Sequence, residues 1–115
     1  MVKTDKVYLL DILDAIDKIE KFVNNTDFKQ FAQDPMKQDA VIRRFEIIGE
    51  ASSRLTKNFQ NKYPKFPFRE SKSMRNILIH DYSEVDLKDV WETIEKDLPA
   101  LKKQLQAIVK QRKLI

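Results

Sequence analysis

Gly49 is the only glycine among the 115 residues of this chain, and this shortage argues against most β architectures. Strands that are joined by tight turns need backbone positions at positive φ, and glycine supplies most of these positions. A β-rich fold would therefore lack the residues for its turns. We expect an all-α protein in which long helices are joined by few loops.

Length and composition limit the number of domains and the class of protein. The chain is long enough for one hydrophobic core and too short for two ordinary domains, so residues 1–115 are expected to form a single domain. Hydrophobic residues make up 42% and charged residues 35%, which is typical of neither a disordered tail nor a membrane protein. Because the chain has no cysteine and no long apolar run, we expect a cytoplasmic protein without disulfides or thiolate metal sites.

The spacing of apolar residues predicts the helices of the first third of the chain. A first helix is expected from about Lys6 to Val23, because apolar residues recur there at steps of three and four. Thr26 is expected to cap a short turn that carries Phe28 and Phe31.

Asp34 and Pro35 predict the start of the second long helix, since a carboxylate at the N-cap followed by proline is a common helix opening. This helix is expected to run to about Asn58, with Gly49 in its interior against a neighbouring helix. Its expected inner face consists of Met36, Ala40, Val41, Phe45, Ile48, Ala51, Ser52 and Leu55.

The rest of the chain is expected to contain a connection, a short helix and a last long helix. Residues 63–68 include two prolines and predict an extended connection, after which a shorter helix spans roughly Arg69 to His80. Asp86 is expected to cap the last helix, in which Pro99 should cause a kink or a break. The expected inner face is Val90, Trp91, Ile94, Leu98, Leu101, Leu105 and Ile108. Together these elements predict an antiparallel bundle of four to five helices.

Basic and acidic side chains are unevenly distributed along the chain, although the net charge is only +4. Residues 54–75 carry seven bases and one acid, whereas residues 76–97 carry seven acids and two lysines. Basic clusters attract phosphate backbones by releasing counterions, but a solvated helix face would show the same excess. Charge alone leaves both interpretations open.

His80 is the only histidine, and the residues around it are the one place where catalytic chemistry could be assembled. Arg75 lies on the same predicted helix, Asn76 lies one turn before His80, and Tyr82 follows in the exit loop. Metal sites in helical bundles need several convergent carboxylates and histidines, so no metal and no cofactor is expected. A phosphate-binding glycine loop and a nucleophile elbow are excluded by the glycine count. Each residue taken singly also fits an ordinary helix end.

The chain resembles the HEPN superfamily, and within it the HepT branch. The resemblance rests on residues 41–51, Tyr63-Pro64, residues 74–82, Val85-Asp86 and Val90-Trp91, which follow one another in the family's order. The family motif is an arginine, four residues, a histidine, one residue and a tyrosine. Arg75, His80 and Tyr82 fill this motif without a gap. Asp81 stands where relatives often have a small residue.

The resemblance implies a HEPN-like homodimer that acts as a metal-independent endoribonuclease toxin. The substrate's own 2′-hydroxyl would be the nucleophile, His80 the general acid/base, and Arg75 the ligand of the phosphate and of the transition state. Asn76 would position these groups in a composite cleft between the two subunits. Glu50 is a further candidate, either as a surface carboxylate or as a buttress for Arg75.

The resemblance also implies a partner besides the RNA substrate, namely an MntA-like minimal nucleotidyltransferase that acts as the antitoxin. This partner would attach AMP to Tyr82 and so silence the toxin. Two alternatives remain open. One is a non-catalytic HEPN module that binds RNA or nucleotides, or serves as the adaptor (antitoxin) subunit of a nucleotidyltransferase. The other is a helical interaction protein without catalytic function.

Overall fold

The computed structural model describes residues 4–64 and 86–112 of the chain. These two ranges are helical and contain no strand, which confirms the predicted all-α class. The helices are α1 (Asp5–Phe22), α2 (Phe28–Ala32), α3 (Pro35–Ser53), α4 (Lys57–Lys62), α5 (Leu87–Glu92) and α6 (Leu98–Gln111), with a π-helical turn, Thr93–Asp97, between α5 and α6. The predicted helix from Arg69 to His80 and the part of the predicted connection after Pro64 lie outside the described residues.

Helix α1 follows the prediction to within one residue at each end. Thr4 precedes it in an extended conformation, and the carboxylate of Asp5 lies in the first turn, where the helix dipole favours a negative charge. After the helix, Asn25 adopts a φ of 56°, which asparagine tolerates better than most residues. The buried side of α1 consists of Leu9, Ile12, Ala15, Ile16 and Ile19.

The cap of α2 is Asp27, so the prediction that Thr26 caps this turn was wrong. The Asp27 carboxylate accepts a hydrogen bond from the backbone N–H of Gln30 at 2.8 Å, and the Gln30 side chain accepts one from the backbone N–H of Asp27 at 2.9 Å. This reciprocal pair satisfies two backbone donors, whereas a threonine cap would satisfy one. The Thr26 hydroxyl instead accepts a hydrogen bond from Nζ of Lys37 at 3.0 Å.

Helix α3 begins as predicted, but its packed face begins later than the sequence pattern indicated. The Asp34 carboxylate accepts the backbone N–H of Lys37 at 3.0 Å, and Pro35 occupies the first turn. Met36 was predicted to lie on the inner face, yet 83% of its surface is exposed. The buried face starts at Val41 and also includes Ile42, because burial begins only where α3 meets its neighbours. Gly49 lies inside the helix and is half-buried.

The second long helix was predicted to reach about Asn58, and this end was wrong, because α3 stops at Ser53 and a new helix starts at Lys57. Thr56 is extended and its hydroxyl accepts the backbone N–H of Phe59 at 3.2 Å, so it caps α4. The break lets the chain turn while Leu55 stays in the core.

The last helical region begins at the predicted cap, since the Asp86 carboxylate accepts the backbone N–H of Lys88 at 2.8 Å. Pro99 does not break the helix. In the π-helical turn before it, the N–H of Leu98 donates to the carbonyl of Thr93, five residues back. Proline lacks a donor and its ring clashes with the carbonyl four residues earlier, and the wider turn relieves both problems.

All six helices contribute to one contiguous hydrophobic cluster. Helices α1 and α3 share the most extensive contact, α6 packs on α1, and α2 lies against both α3 and α5. The half-buried Trp91 packs on Phe31 and Phe28 of α2, with ring centroids 5.3 and 6.2 Å away. A search of the described helices found none that combines the length and the apolar character needed to cross a membrane.

Candidate functional site

Four of the five predicted site residues, Arg75, Asn76, His80 and Tyr82, lie outside the described residues. Their roles and mutual arrangement therefore stay predictions. Glu50 is the predicted site residue that the structure locates.

Glu50 lies on the exposed side of α3, near its C-terminal end. Its Oε1 atom is 3.5 Å from Nη2 of Arg54, one helical turn later, and about 60% of each side chain is exposed. Ion pairs this exposed contribute little to stability. The Glu50 carboxylate is thus exposed within the described residues, and the choice between a surface carboxylate and a buttress for Arg75 remains a prediction.

Glu50 lines an open cleft of about 360 Å³ between α1 and α3. The lining residues are Tyr8, Asp11, Ile47, Glu50, Ala51 and Arg54. Asp5 at the start of α1 contacts Thr56 just beyond the end of α3, so the two helices run antiparallel. Tyr8 and Asp11 are three residues apart and share one face of α1. The cleft volume is at the lower end of the range for ligand sites.

The described residues bring two carboxylates and one guanidinium to this cleft. Asp11 and Glu50 carry the carboxylates, and Arg54 carries the guanidinium. Carboxylates accept hydrogen bonds, so these two side chains suit a ligand with N–H donors better than a bare phosphate. Within residues 4–64 and 86–112, no three histidine, aspartate or glutamate side chains gather in a way that could hold a metal ion.

Helix α4 contacts the start of α1 and the end of α6, and the chain continues from it towards the predicted motif. At its start, Thr56 donates to the Asp5 carboxylate from its backbone N–H at 2.9 Å and from its hydroxyl at 2.7 Å. At its end, the rings of Phe59 and Tyr63 lie 4.9 Å apart, and the guanidinium of Arg112 lies 5.5 Å from the Phe59 ring centroid. The start of α4 is therefore held by α1, and its end is contacted by Arg112 at the end of α6.

Sequence reasoning did not single out Tyr8, Asp11 or Arg54 as lining residues of a site. Tyr8 is half-buried at the cleft. The tyrosine and the aspartate at three-residue spacing were a usable signal, but only the pairing of α1 with α3 brings them to Glu50.

Comparison with known proteins gives a consistent family assignment. The family model described as "Ribonuclease HepT-like" matches residues 12–108. A Thermococcus cleftensis protein named "Probable ribonuclease HepT" is 42% identical over 110 residues, which cover 96% of this chain and all of the relative. No solved structure matches the chain.

Two further relatives have names that assign RNase activity provisionally. One, from Methanocaldococcus jannaschii, is 40% identical over 111 residues, which cover 96% of this chain and 92% of the relative. The other, from Caldanaerobacter subterraneus, is 39% identical over 112 residues, which cover 97% of this chain and all of the relative.

Proposed function

This chain belongs to the ribonuclease HepT-like family, and we propose that it is an endoribonuclease whose active site contains Arg75 and His80. The observation that carries the proposal is the extent of the family match. Residues 12–108 match, and this range includes Arg75, His80 and Tyr82, which fill the arginine–histidine–tyrosine motif. The relatives named as ribonucleases cover nearly the whole chain, so the likeness is not confined to one segment.

The proposed reaction is an internal transesterification of RNA. The 2′-hydroxyl of a nucleotide attacks the adjacent phosphorus, the bond from phosphorus to the 5′-oxygen breaks, and a 2′,3′-cyclic phosphate and a 5′-hydroxyl result. His80 moves the protons, because imidazole changes charge near neutral pH. Arg75 binds the phosphate oxygens as negative charge builds on them, and Asn76 positions the imidazole. Side chains thus supply both proton transfer and charge stabilisation, so the proposed mechanism needs no metal ion.

We propose a homodimer, because each chain has one histidine and the proposed reaction uses both a base and an acid. In the proposed composite cleft, each subunit contributes one His80 and one Arg75. Heterodimers of one wild-type and one His80→Ala subunit, purified through two different tags, test this arrangement. We expect less than about a tenth of the wild-type rate, since general acid–base catalysis contributes about 10²–10⁴-fold. A heterodimer that keeps half of the wild-type rate would show that each subunit acts alone.

The site residues are tested by cleavage of a labelled RNA with wild-type protein, His80→Ala and Arg75→Ala in excess chelator. Each variant is expected to lose about 100-fold or more in rate. Lys103→Ala, which removes an exposed charge on α6, is the matched control and should cut like the wild type. Circular dichroism shows whether each variant is folded. Variants that are folded and cut as well as the wild type would refute the assignment.

We also propose that the protein is a toxin, and that an MntA-like nucleotidyltransferase antitoxin silences it by AMPylation of Tyr82. The phenolic oxygen would attack the α-phosphorus of ATP, with pyrophosphate as the leaving group and the phenolic proton released to solvent. The added group is bulky and anionic, so it would repel RNA. Tyr82→Phe is expected to arrest growth in the presence of the partner, whereas the matched Tyr8→Phe should be neutralised. Mass spectrometry of the co-expressed protein should find one AMP, on Tyr82, and an AMP elsewhere would contradict the proposal.

We propose that residues 1–115 act as one domain in the cytoplasm, where RNA and the partner are found.

Glu50 is proposed as a supporting residue of the active site. The exposed Glu50 carboxylate keeps only a weak ion pair with Arg54, so it is available for a further contact. Glu50→Gln is expected to lower the cleavage rate without loss of stability. An unchanged rate would leave Glu50 as a surface residue only.

A further inference from the structure

The exposed side of α4 has bases and amides but no acid. From residue 51 to residue 64 the sequence contains three bases and neither aspartate nor glutamate. The exposed residues of α4 are Lys57, Asn58, Asn61 and Lys62. Asn58 and Lys62 are four residues apart and share one face of the helix. Such a face carries positive charge without an internal counter-charge.

Two cations, Lys62 and Arg112, lie around the ring of Tyr63. Nζ of Lys62 is 6.0 Å from the ring centroid, and Cζ of Arg112 is 5.9 Å from the same centroid. The two cations are therefore no more than about 12 Å apart. We call Asn58, Lys62 and Arg112 the α4 cationic surface.

Neither Lys62 nor Arg112 forms an ion pair with a carboxylate in the part of the chain that the structure describes. Other bases do find such partners: Lys18 pairs with Asp14 at 3.0 Å, and Lys102 pairs with Glu20 at 2.6 Å. Among the residues that the structure describes, no carboxylate neutralises these two charges, so they can bind an external anion.

Arg112 is arranged in a way that suits phosphate. Its Cζ atom lies 5.5 Å from the Phe59 ring centroid and 5.9 Å from that of Tyr63, and a guanidinium presents a planar set of N–H donors that matches phosphate geometry. Its backbone N–H donates to the Ile108 carbonyl at 2.9 Å, so α6 holds its main chain in place. Contact with the rings and with the helix end would by itself explain a structural arginine. The unpaired lysine beside it and the acid-free stretch are what point to a ligand.

We propose that the α4 cationic surface binds the phosphate backbone of a single-stranded part of the RNA substrate, an inference that rests on the proposed ribonuclease function. Lys62 and Arg112 contact phosphates, and the exposed Asn58 amide, one helical turn from Lys62, hydrogen-bonds the same strand. The upper limit of about 12 Å corresponds to at most roughly three nucleotides, at about 3.4 Å of axis per nucleotide in a helical strand. The surface binds the strand and takes no part in cleavage.

Binding of a fluorescent single-stranded RNA, followed by anisotropy over a series of salt concentrations, tests the surface. Each protein carries His80→Ala, so that the RNA stays intact. Adding Lys62→Ala or Arg112→Ala is expected to weaken binding about threefold to fivefold. The slope of log affinity against log salt should fall by about 0.7 for each lost phosphate contact. Adding the matched Lys18→Ala removes a paired charge and should change neither quantity.

Three results would overturn the inference. The first is an effect of Lys62→Ala no larger than that of Lys18→Ala. The second is weaker binding with an unchanged salt slope. The third is competition by polyglutamate as strong as competition by unlabelled RNA, which would indicate an acidic protein as the partner. Lys62 is exposed, so its variant keeps the test decisive even if Arg112→Ala unfolds.

The surface and the proposed activity can fail separately. A protein that cuts RNA but whose KM is unchanged by Lys62→Ala refutes the surface and leaves the ribonuclease. A protein that binds RNA through Lys62 and does not cut it refutes the ribonuclease and leaves the surface.

Discussion

Removal of the Thr56 hydroxyl should destabilise the protein through two contacts at once. This hydroxyl accepts the backbone N–H of Phe59 at 3.2 Å, as the N-cap of α4, and donates to the Asp5 carboxylate at 2.7 Å. Loss of a threonine cap costs about 1 kcal/mol. The net contribution of a hydrogen bond to stability is about 1 kcal/mol. Because Thr56 is exposed, its hydrogen bond to Asp5 is expected to contribute that much or less. Thr56→Ala is therefore expected to lower the free energy of unfolding by about 1.5–2 kcal/mol.

Urea unfolding followed by circular dichroism measures this loss, at one protein concentration because the stability of the proposed dimer would depend on concentration. Thr56→Ser keeps the hydroxyl and should lose less than about 0.5 kcal/mol. In a double-mutant cycle with Asp5→Ala, the coupling energy between the two positions is expected to be about 0.5–1 kcal/mol. The hydrogen bond between Thr56 of α4 and Asp5 of α1 would be refuted as a source of stability by a coupling energy below about 0.3 kcal/mol. Equal losses of unfolding free energy in Thr56→Ala and Thr56→Ser would refute it as well.

Three further changes test the core, an ion pair and the surface. Phe45→Ala, at a fully buried ring, should cost about 3–5 kcal/mol in urea unfolding, and a loss under about 1 kcal/mol would contradict the packing. The hydrogen bond from Lys102 to Glu20 raises the pKa of Lys102 above its ordinary 10.5. The stabilisation that protonated Lys102 contributes is therefore complete below pH 10.5 and is lost as the pH rises through the pKa of Lys102 in the folded state. Lys102→Met should accordingly lower the free energy of unfolding by about 0.5–1 kcal/mol at neutral pH. A cost that persisted at a pH above the folded-state pKa would contradict this origin. Met36→Gln should change the stability by less than about 0.5 kcal/mol, and a larger loss would show that the methionine is covered.

Local rules predicted the helix ends that depend on local chemistry. Asp34 with Pro35 and Asp86 were identified as caps from the sequence, and the structure confirms them. These rules chose the wrong residue where two adjacent side chains could both cap the same helix, α2. Thr26 and Asp27 are adjacent, and the carboxylate prevails because Gln30 completes a reciprocal pair with it.

Burial and helix continuity depend on packing, which the sequence pattern does not contain. Met36 fits the apolar period of α3 but lies before the point at which the helix meets its neighbours. Pro99 was predicted to disturb the last helix, and the form of the disturbance follows from its surroundings. Leu98 and Leu101 are both buried, so a break would expose the core, and a π-helical turn keeps both in place.

The residues of the candidate site also fall into those that the sequence indicated and those that only the packing of the helices brings together. Glu50 was found through the family resemblance, whereas Asp11 joins it only because α1 packs antiparallel to α3. Arg112 reaches Tyr63 across nearly half of the chain, and no local pattern predicts that contact. The motif residues Arg75 and His80 lie outside the described residues and rest on the sequence and the family.

The chemistry of the RNA ends produced by the purified protein tests the central claim most directly. A defined RNA and a copy with a 2′-deoxy nucleotide at the cleavage position are incubated in excess chelator, and the products are analysed by mass spectrometry. We expect the RNA to yield a 2′,3′-cyclic phosphate and a 5′-hydroxyl, and the deoxy copy to remain intact at that position. Cleavage of the deoxy copy, products with a 5′-phosphate, or loss of cleavage in chelator would contradict the proposed mechanism.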